Sequence, residues 1–127
     1  MKCRGIRGAI TVDANTKQSI YASTKELLRE MIKANEVKQD DMASIIFTAT
    51  DDLNAAFPAK AAREMGFSNI PLLCSREINV ANSLKSCLRI LILFNSNKKH
   101  DDIKHIYLKG AADLRSNDND CATAAEE

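Results

Sequence analysis

The apolar run from Cys87 to Phe94 constrains the fold of this chain more than any other segment. Its sequence, Cys-Leu-Arg-Ile-Leu-Ile-Leu-Phe, is typical of a strand that is buried on both faces. The run nevertheless contains Arg89, whose guanidinium keeps its proton and costs several kcal/mol to remove from water without a partner. Either a protein carboxylate or a bound anionic ligand must therefore meet this charge. Buried arginines are usually paired within the protein, so a structural ion pair is as good an explanation as a ligand site. The run alone does not decide between them.

The length and charge of the chain exclude several classes of partner. Its 127 residues can form one hydrophobic core, and 18 Lys and Arg residues nearly balance 17 Asp and Glu residues, for a formal charge of +1. Nonspecific nucleic-acid binding needs a concentrated basic face, so we expect no nucleic-acid partner. The longest apolar stretch, 88–94, is far too short to cross a bilayer, so we expect no membrane partner.

The cysteines indicate a reducing compartment. The four of them lie far apart and include no Cys-x-x-Cys pair, and the residues after Met1 lack the apolar stretch of an export signal. Scattered thiols in such a chain are typical of reduced intracellular proteins, so we expect a cytoplasmic location. Only His100 and His105 could join the thiols as nitrogen ligands, so we expect no zinc site.

The order of the predicted elements indicates an α+β fold with a mixed sheet, because strands alternate with helices but also follow one another directly. We expect a single domain over residues 1–115 and a polar, alanine-rich, mobile tail over 116–127. The predicted strands cover 3–12, 42–50, 70–74, 87–94 and 103–108. The predicted helices cover 15–35, opened by a capping pair of Asn15 and Gln18, and 58–64, stopped by Gly66.

Alternation within the predicted strand 42–50 assigns its side chains to two faces. Met42, Ile46 and Thr48 fall on one face, and Ile45 and Phe47 fall on the other. Both faces are therefore largely apolar, but only two clear helices are available to cover the sheet. We expect one face to be buried by another subunit, so the chain is predicted to be an oligomer.

Several arginines in apolar or small-residue surroundings predict a pocket for a small anionic molecule. Arg matches planar oxyanions bidentately, and no glycine-rich phosphate loop is present, so carboxylates are the better match. Small neighbours leave room around Arg7, whereas Lys60 and Arg63 lie on one face of the short helix. Taken singly, Arg7 is more typical of an exposed strand residue than of a ligand site, and Lys60 with Arg63 is more typical of a solvated helix face. The full set is Arg7, Arg63, Arg89 and Arg115.

Three further side chains admit either a structural or a chemical role. Glu77 is the single acid between residues 64 and 101, and a surface ion pair with Arg76 or Lys85 would explain it. Tyr107 has the character of a half-buried core ring with a satisfied hydroxyl. Cys74 has no histidine near it in sequence, and no Ser-His-Asp or Cys-His pattern occurs, so nucleophilic catalysis is not indicated.

Six motifs occur in the order found in one known family. Through them the chain resembles the monofunctional chorismate mutases of the AroH class, over about residues 3–115. No single motif is decisive, but the six together are highly specific. They are RGIRGA at 4–9, TATDDL at 48–53, FPAKAAR at 57–63, Cys74 with Glu77, CLRIL at 87–91 and HIYL at 105–108.

The resemblance implies a homotrimer with a barrel-like sheet core and active sites in clefts between adjacent subunits. It also implies the intramolecular Claisen rearrangement of chorismate to prephenate, on the route to phenylalanine and tyrosine, with no cofactor and no metal. Such a pericyclic shift needs a restrained reactive conformer and charges aimed at a polarised transition state, but no nucleophile. The implied reaction therefore fits a chain without a nucleophile motif.

The resemblance further implies a role for each candidate residue. Arg89 contacts the ether oxygen and a carboxylate of the substrate, Arg7 and Tyr107 hold carboxylate, and Glu77 and Cys74 hold the ring hydroxyl. The catalytic residues are then Arg89, Glu77 and Arg7, and the charge of Arg89 is reserved for a bound dicarboxylate rather than for an acid of its own chain. The expected lining of the cleft is Leu73, Cys74, Ser75, Arg76 and Glu77, with Phe57 as a wall for the ring and Arg63 and Arg115 near the mouth.

The chain departs from the family pattern at two places. Asn82 and Ser83 stand where glycine is expected, which is tolerable because Asn adopts positive φ more readily than most residues. Ser116 stands where proline commonly follows the Leu-Arg pair, which weakens the assignment of Arg115.

Two other functions fit an interfacial arginine. A small trimeric deaminase could use it to hold a substrate carboxylate, and a non-catalytic trimeric sensor could use it to bind a carboxylate metabolite. The joint presence of Cys74, Glu77 and Tyr107 favours the mutase over the deaminase, and turnover of chorismate would distinguish the mutase from the sensor.

Overall fold

The computed structural model describes residues 1–117, with side chains through Leu114, as one mixed sheet, two α-helices and three 3-10 segments. The predicted tail from Ser116 lies outside these residues except for its first two positions, which end the last 3-10 segment. The elements are β1 (Lys2–Thr11), α1 (Lys17–Asn35), β2 (Met42–Ala49), α2 (Pro58–Glu64), β3 (Leu72–Arg76), β4 (Cys87–Ser96) and β5 (Ile106–Leu108), with 3-10 segments at Gln39–Asp41, His100–Asp102 and Lys109–Asn117.

The five strands lie in the order β3-β2-β4-β1-β5. Strand β4 runs antiparallel to both β1 and β2, whereas β1 and β5 are parallel and so are β2 and β3. The expectation of an α+β fold with a mixed sheet is therefore confirmed. The strand predicted at 70–74 lies two residues later, and that at 103–108 is reduced to its last three residues.

Both α-helices pack on the same face of the sheet, which we call the core face. The core face contains fully buried Ile6, Ile45, Phe47 and Ile92, and α1 contributes Leu27 and its apolar neighbours to the same cluster. The apolar residues of α1 thus form its buried side. Burying side chains of this size supplies about 1.5–3 kcal/mol each, relative to exposure.

The ends of the two helices follow local chemistry. Thr16 caps α1, since its Oγ1 accepts a hydrogen bond from Ser19 N at 3.1 Å. The predicted capping pair of Asn15 and Gln18 is therefore wrong. Asn15 instead holds the loop before α2, where its Oδ1 accepts from Asn54 N at 3.0 Å. Gly66 follows α2 with φ 99°, as predicted for its stop.

The opposite face of the sheet, which we call the open face, is not covered by an α-helix from the described residues, 1–117. Strand β4 alternates between buried and half-buried residues, and Arg89 and Leu91 are among the half-buried ones. Among residues 1–117 of a single chain, the open face is covered only at one end, so burial of β4 on both faces requires a neighbouring copy and stays a prediction. At the covered end Ala9 is buried under Ala111 and Leu114 of the last 3-10 segment.

Met42 lies on the core face, contrary to the prediction that it shares a face with Ile46 and Thr48. The pairing of β2 with β4 shifts between Met42 and Ser44, where a β-bulge inserts one extra residue. The bulge reverses the side-chain alternation, so Met42 joins Ile45 in the core cluster.

Within residues 1–117, no helix has both the length and the apolar character needed to cross a membrane.

Candidate active site

A cavity of about 260 Å³ opens on the open face of the sheet. Strand pairing builds it, because Arg89 lies directly opposite Ala9 of β1 on one side and Thr48 of β2 on the other, while Tyr107 lies opposite Ala9 from β5. Ala9 itself is buried against Ala111 and Leu114, and the cavity lies beside it. The lining residues are Arg7, Gly8, Ile46, Thr48, Arg89, Ile90, Leu91 and Tyr107.

Glu77 and Arg89 form a bidentate ion pair at the edge of this cavity. Arg89 Nη2 donates to Glu77 Oε1 at 2.6 Å, and Arg89 Nε donates to Glu77 Oε2. The side chains are 30% and 11% exposed, respectively. The expectation that Arg89 is reserved for a ligand is therefore wrong as stated, because an acid of its own chain meets it. The suggested surface pairs of Glu77 with Arg76 or Lys85 are also replaced by this one.

The carboxylate of Glu77 has a third donor that the sequence did not identify. Thr48 Oγ1 donates to Glu77 Oε2, the oxygen that also accepts from Arg89 Nε. The backbone of Glu77 is fixed as well, since its amide donates to Ala49 O at 3.0 Å. Thr48 faces Glu77 only because β2 pairs with β4 in this register, and residue spacing does not reveal strand pairing.

His105, a possible metal ligand and the first residue of the motif at 105–108, fixes the backbone of Arg7. The backbone amide of Arg7 donates to His105 Nδ1 at 2.9 Å, just before the parallel pairing of Gly8 with Ile106 begins. The imidazole therefore extends the β1–β5 hydrogen bonding by one position. It fixes the strand that carries Arg7 beside the strand that carries Tyr107.

Some of the remaining predicted site residues line a second cavity, of about 600 Å³, between α2 and the edge strand β3. Phe57, Lys60, Cys74, Ser75 and Arg76 are among its lining residues. Phe57 is 73% exposed, which is unusual for a large apolar side chain on a single chain.

Cys74 lies on the core face, opposite to Arg89. It pairs with Phe47, which points into the core, whereas Thr48 points to the open face. Burial raises the pKa of the Cys74 thiol, although a hydrogen bond from the Ala59 backbone and the charge of Arg63 act in the other direction. The thiol is therefore protonated at neutral pH and is available as a neutral hydrogen-bonding group.

The other predicted lining residues are exposed in a single chain. Leu73 is 61% exposed on the edge strand, and Arg63 is exposed on α2. Arg76 pairs with Asp51, with 3.1 Å between its Nη2 and Asp51 Oδ1. The side chain of Arg115 lies outside the described residues. One chain thus brings together Arg7, Glu77, Arg89 and Tyr107, but not Phe57, Arg63 or Cys74 with them.

The loop between β3 and β4 is pinned at its end by Asp52. Its carboxylate accepts hydrogen bonds from Thr50 Oγ1 at 2.5 Å and from Ser86 N at 2.9 Å. Although burial raises the pKa of Asp52, these hydrogen bonds outweigh it and hold the pKa below the ordinary value. In the same loop Asn82 has φ 65°, the conformation for which glycine was expected.

The sequence model of the chorismate mutase type I family matches residues 3–118. This chain belongs to that family. A chorismate mutase AroH of Thermus thermophilus is 46% identical over 113 residues, which is 88% of this chain and 93% of the relative. That of Bacillus subtilis strain 168 is 40% identical over 116 residues, which is 91% of each.

Solved structures agree with the chorismate mutase assignment. A chorismate mutase from Clostridium thermocellum has a TM-score of 0.83 and 51% sequence identity, and the match covers 85% of this chain and 96% of that one. The family resemblance inferred from the six motifs is confirmed.

Proposed function

We propose that this chorismate mutase converts chorismate to prephenate by an intramolecular Claisen rearrangement, in the biosynthesis of phenylalanine and tyrosine. The observation that carries the proposal is a preset Arg89 fork in the same cavity as Arg7 and Tyr107, in a chain assigned to this family over residues 3–118. The family assignment supports neither a deaminase nor a non-catalytic sensor.

Restraint of the substrate is the first part of the mechanism. Chorismate carries two carboxylates, and the rearrangement requires its side chain folded over the ring. Arg7 and Tyr107 stand on adjacent strands at the cavity wall, where they are suited to hold one carboxylate in a fixed direction. Well-oriented intramolecular reactions gain roughly 7–11 kcal/mol from such restraint, so this term is large.

Electrostatic stabilisation is the second part. As the carbon–oxygen bond breaks, the ether oxygen gains negative charge, and a guanidinium already oriented by Glu77 stabilises it without reorganising. Acceleration of about 10⁶-fold needs roughly 8 kcal/mol. One preorganised donor contributes about 3–4 kcal/mol, so Arg89 acts together with conformer restraint and not alone.

The ion pair between Glu77 and Arg89 is compatible with both roles. Before substrate binds, Glu77 offsets the cost of keeping a half-buried guanidinium away from water. In the transition state its negative charge faces a ring that has become electron-poor, while Arg89 faces the ether oxygen. The structural and chemical explanations of Arg89, which were alternatives in the sequence, therefore combine.

We propose further that the site is completed by a neighbouring copy, in a homotrimer with a barrel-like core. A cavity of about 260 Å³ is smaller than the roughly 300–1,000 Å³ of ordinary small-molecule sites. The open face is half-buried and apolar around Leu91, and Phe57 and Leu73 are exposed. A neighbour placed on this face would cover the apolar surface and bring Phe57, Arg63 and Cys74 to the Arg89 cavity.

A cytoplasmic location and a reaction without metal or cofactor complete the proposal. Cys3 and Cys74 are present as thiols, which fits a reducing compartment. Every step assigned above is binding, orientation or charge stabilisation by side chains of this protein.

The direct test mixes purified protein with chorismate and follows the loss of its ultraviolet absorbance and the appearance of prephenate. Saturable turnover is expected. Binding of chorismate with unchanged absorbance would instead indicate a sensor and would refute the proposed reaction. Sedimentation equilibrium on the same sample tests the trimer. A monomer mass would contradict the proposal, because Phe57, Arg63 and Cys74 could then not reach the Arg89 cavity of a neighbouring copy.

A further inference from the structure

Glu77 accepts three hydrogen bonds on its two oxygens, and one of them does not come from Arg89. Arg89 supplies Nε to Oε2 and Nη2 to Oε1, and Thr48 supplies its hydroxyl to Oε2. A fork against a carboxylate fixes the two groups relative to each other, but it leaves the pair free to swing as a unit about the two side-chain stems. The Thr48 hydroxyl ties this unit to the sheet.

We infer that Thr48 is a positioning residue of the proposed mutase reaction, which holds the Glu77 carboxylate and, through it, the plane of the Arg89 guanidinium. This inference rests on the proposed function only for its kinetic consequences. The geometry behind it is independent of the substrate.

The position of Thr48 suits this task. It is the direct cross-strand partner of Arg89 in the β2–β4 pairing, so its Cβ lies beside the root of the arginine side chain. Its branched Cβ allows few rotamers, so the hydroxyl has a well-defined direction. Both strands are interior strands of the sheet, bonded on each side, which makes Thr48 a rigid anchor for a residue in the loop after β3.

The need for such an anchor follows from competition within the site. A bound dicarboxylate attracts the same guanidinium that Glu77 holds, so substrate binding tends to pull Arg89 away from its preset direction. A second donor on Glu77 Oε2 strengthens the resident pair against this pull. Electrostatic catalysis depends on the donor being oriented before the charge develops, so a loosened fork lowers kcat more than it weakens binding.

Thr48→Val and Thr48→Ser form a matched pair of variants. Valine keeps the shape and the strand preference but removes the hydroxyl, whereas serine keeps the hydroxyl and removes the methyl group. We expect Thr48→Val to lower kcat by about 10-fold or more, with KM changed by less than about 2-fold, and Thr48→Ser to retain most of the activity. A purely packing role would reverse this order.

Glu77→Gln separates positioning from direct substrate contact. If Thr48 acts through Glu77, its substitution by valine adds little in the Glu77→Gln background, because the acceptor charge is already gone. An undiminished loss in that background would show that Thr48 touches the substrate itself and would overturn the inference.

The NMR resonance of the Arg89 Nε–H group reports on its hydrogen bond to Glu77 and requires no enzymatic activity. It should broaden or shift in Thr48→Val and stay near the wild-type position in Thr48→Ser. A wild-type protein that fails to convert chorismate refutes the proposed function, yet this resonance still tests the anchor. An unchanged resonance and an unchanged kcat in Thr48→Val refute the inference while the proposed function stands.

Discussion

His105 Nδ1 accepts a hydrogen bond from the backbone amide of Arg7 at 2.9 Å. The bond lies one residue before the ladder in which Gly8 pairs with Ile106. At this position the imidazole of His105 therefore replaces a backbone carbonyl as the hydrogen-bond acceptor. The acceptor nitrogen must carry no proton, which places the ring hydrogen of neutral His105 on Nε2. Two of the proposed carboxylate-binding residues, Arg7 and Tyr107, are therefore held side by side by one imidazole.

Substitution of His105 should affect Arg7 according to where the new acceptor atom sits. The side-chain oxygen of Asn lies close to the place of Nδ1, whereas that of Gln lies nearer to the place of Nε2. We expect His105→Asn to retain protection of the Arg7 amide in hydrogen exchange, and His105→Gln to lose it and raise KM roughly 5-fold, the equivalent of one ordinary hydrogen bond. Equal protection of the Arg7 amide in both variants would contradict the assignment.

Substitution of Arg89 should act on turnover far more than on affinity. The contact of Arg89 with the ether oxygen strengthens mainly in the transition state, so Arg89→Ala is expected to lower kcat by about 10²-fold or more. Arg89→Lys should also be poor, because an ammonium cannot make the two parallel bonds that Glu77 receives. Steady-state kinetics on chorismate provide the measurement. A rise in KM alone would assign Arg89 to substrate binding.

The stability of the loop before β4 should depend on pH through Asp52. Its pKa in the folded protein lies below the ordinary value of 3.8, so its hydrogen bonds stabilise the fold above that pH. The contribution is lost as the pH falls through the folded value, where the carboxylate takes up a proton. Asp52→Asn should therefore be less stable than wild type at pH 7, and the difference should shrink at about pH 3.

Urea unfolding of the two proteins at both pH values measures this change. The side chain is largely solvated, so the effect is modest. A gap between wild type and Asp52→Asn that stays constant from pH 7 to pH 3 would rule out the carboxylate as its origin.

Local periodicity predicted the elements and most faces of the sheet. In β1, Ile6 lies on the core face and Arg7 on the open face, as the alternation of side chains along a strand requires. Met42 was misplaced because a β-bulge leaves no trace in a pattern of apolar and polar residues. The bulge is set by the pairing of β2 with β4, which is a tertiary property.

The candidate residues could be named from the sequence, but their grouping could not. Glu77 meets Arg89 because its backbone stays bonded to the end of β2, from where its side chain reaches Arg89 on β4. Cys74 faces away because it pairs with Phe47 on the core face, whereas its neighbour Ser75 pairs with Thr48 on the open face. Both facts depend on strand order. Motif recognition identified the family without knowledge of the strand order, because a motif is a pattern along the chain and does not depend on which strands are neighbours.

The division of the site between two copies leads to a complementation experiment. Arg89→Ala removes the cation of the open-face cavity, and Phe57→Asp places a negative charge in the second cavity, where Phe57 is exposed and its substitution costs little stability. Each variant alone should be a trimer of low activity. If adjacent copies share each site, a trimer assembled from both variants contains some sites with neither substitution.

In cyclic trimers that contain both variants, about a third of the sites combine an intact Arg89 with an intact Phe57 from the neighbour. Co-expression with two different affinity tags, followed by purification through both, isolates the mixed trimers. Their kcat per site should rise well above that of either parent, and KM at the restored sites should match wild type. A mixed trimer no more active than the mean of its parents would mean that Phe57 does not serve the Arg89 cavity of an adjacent copy, and the proposed shared site would have to be abandoned.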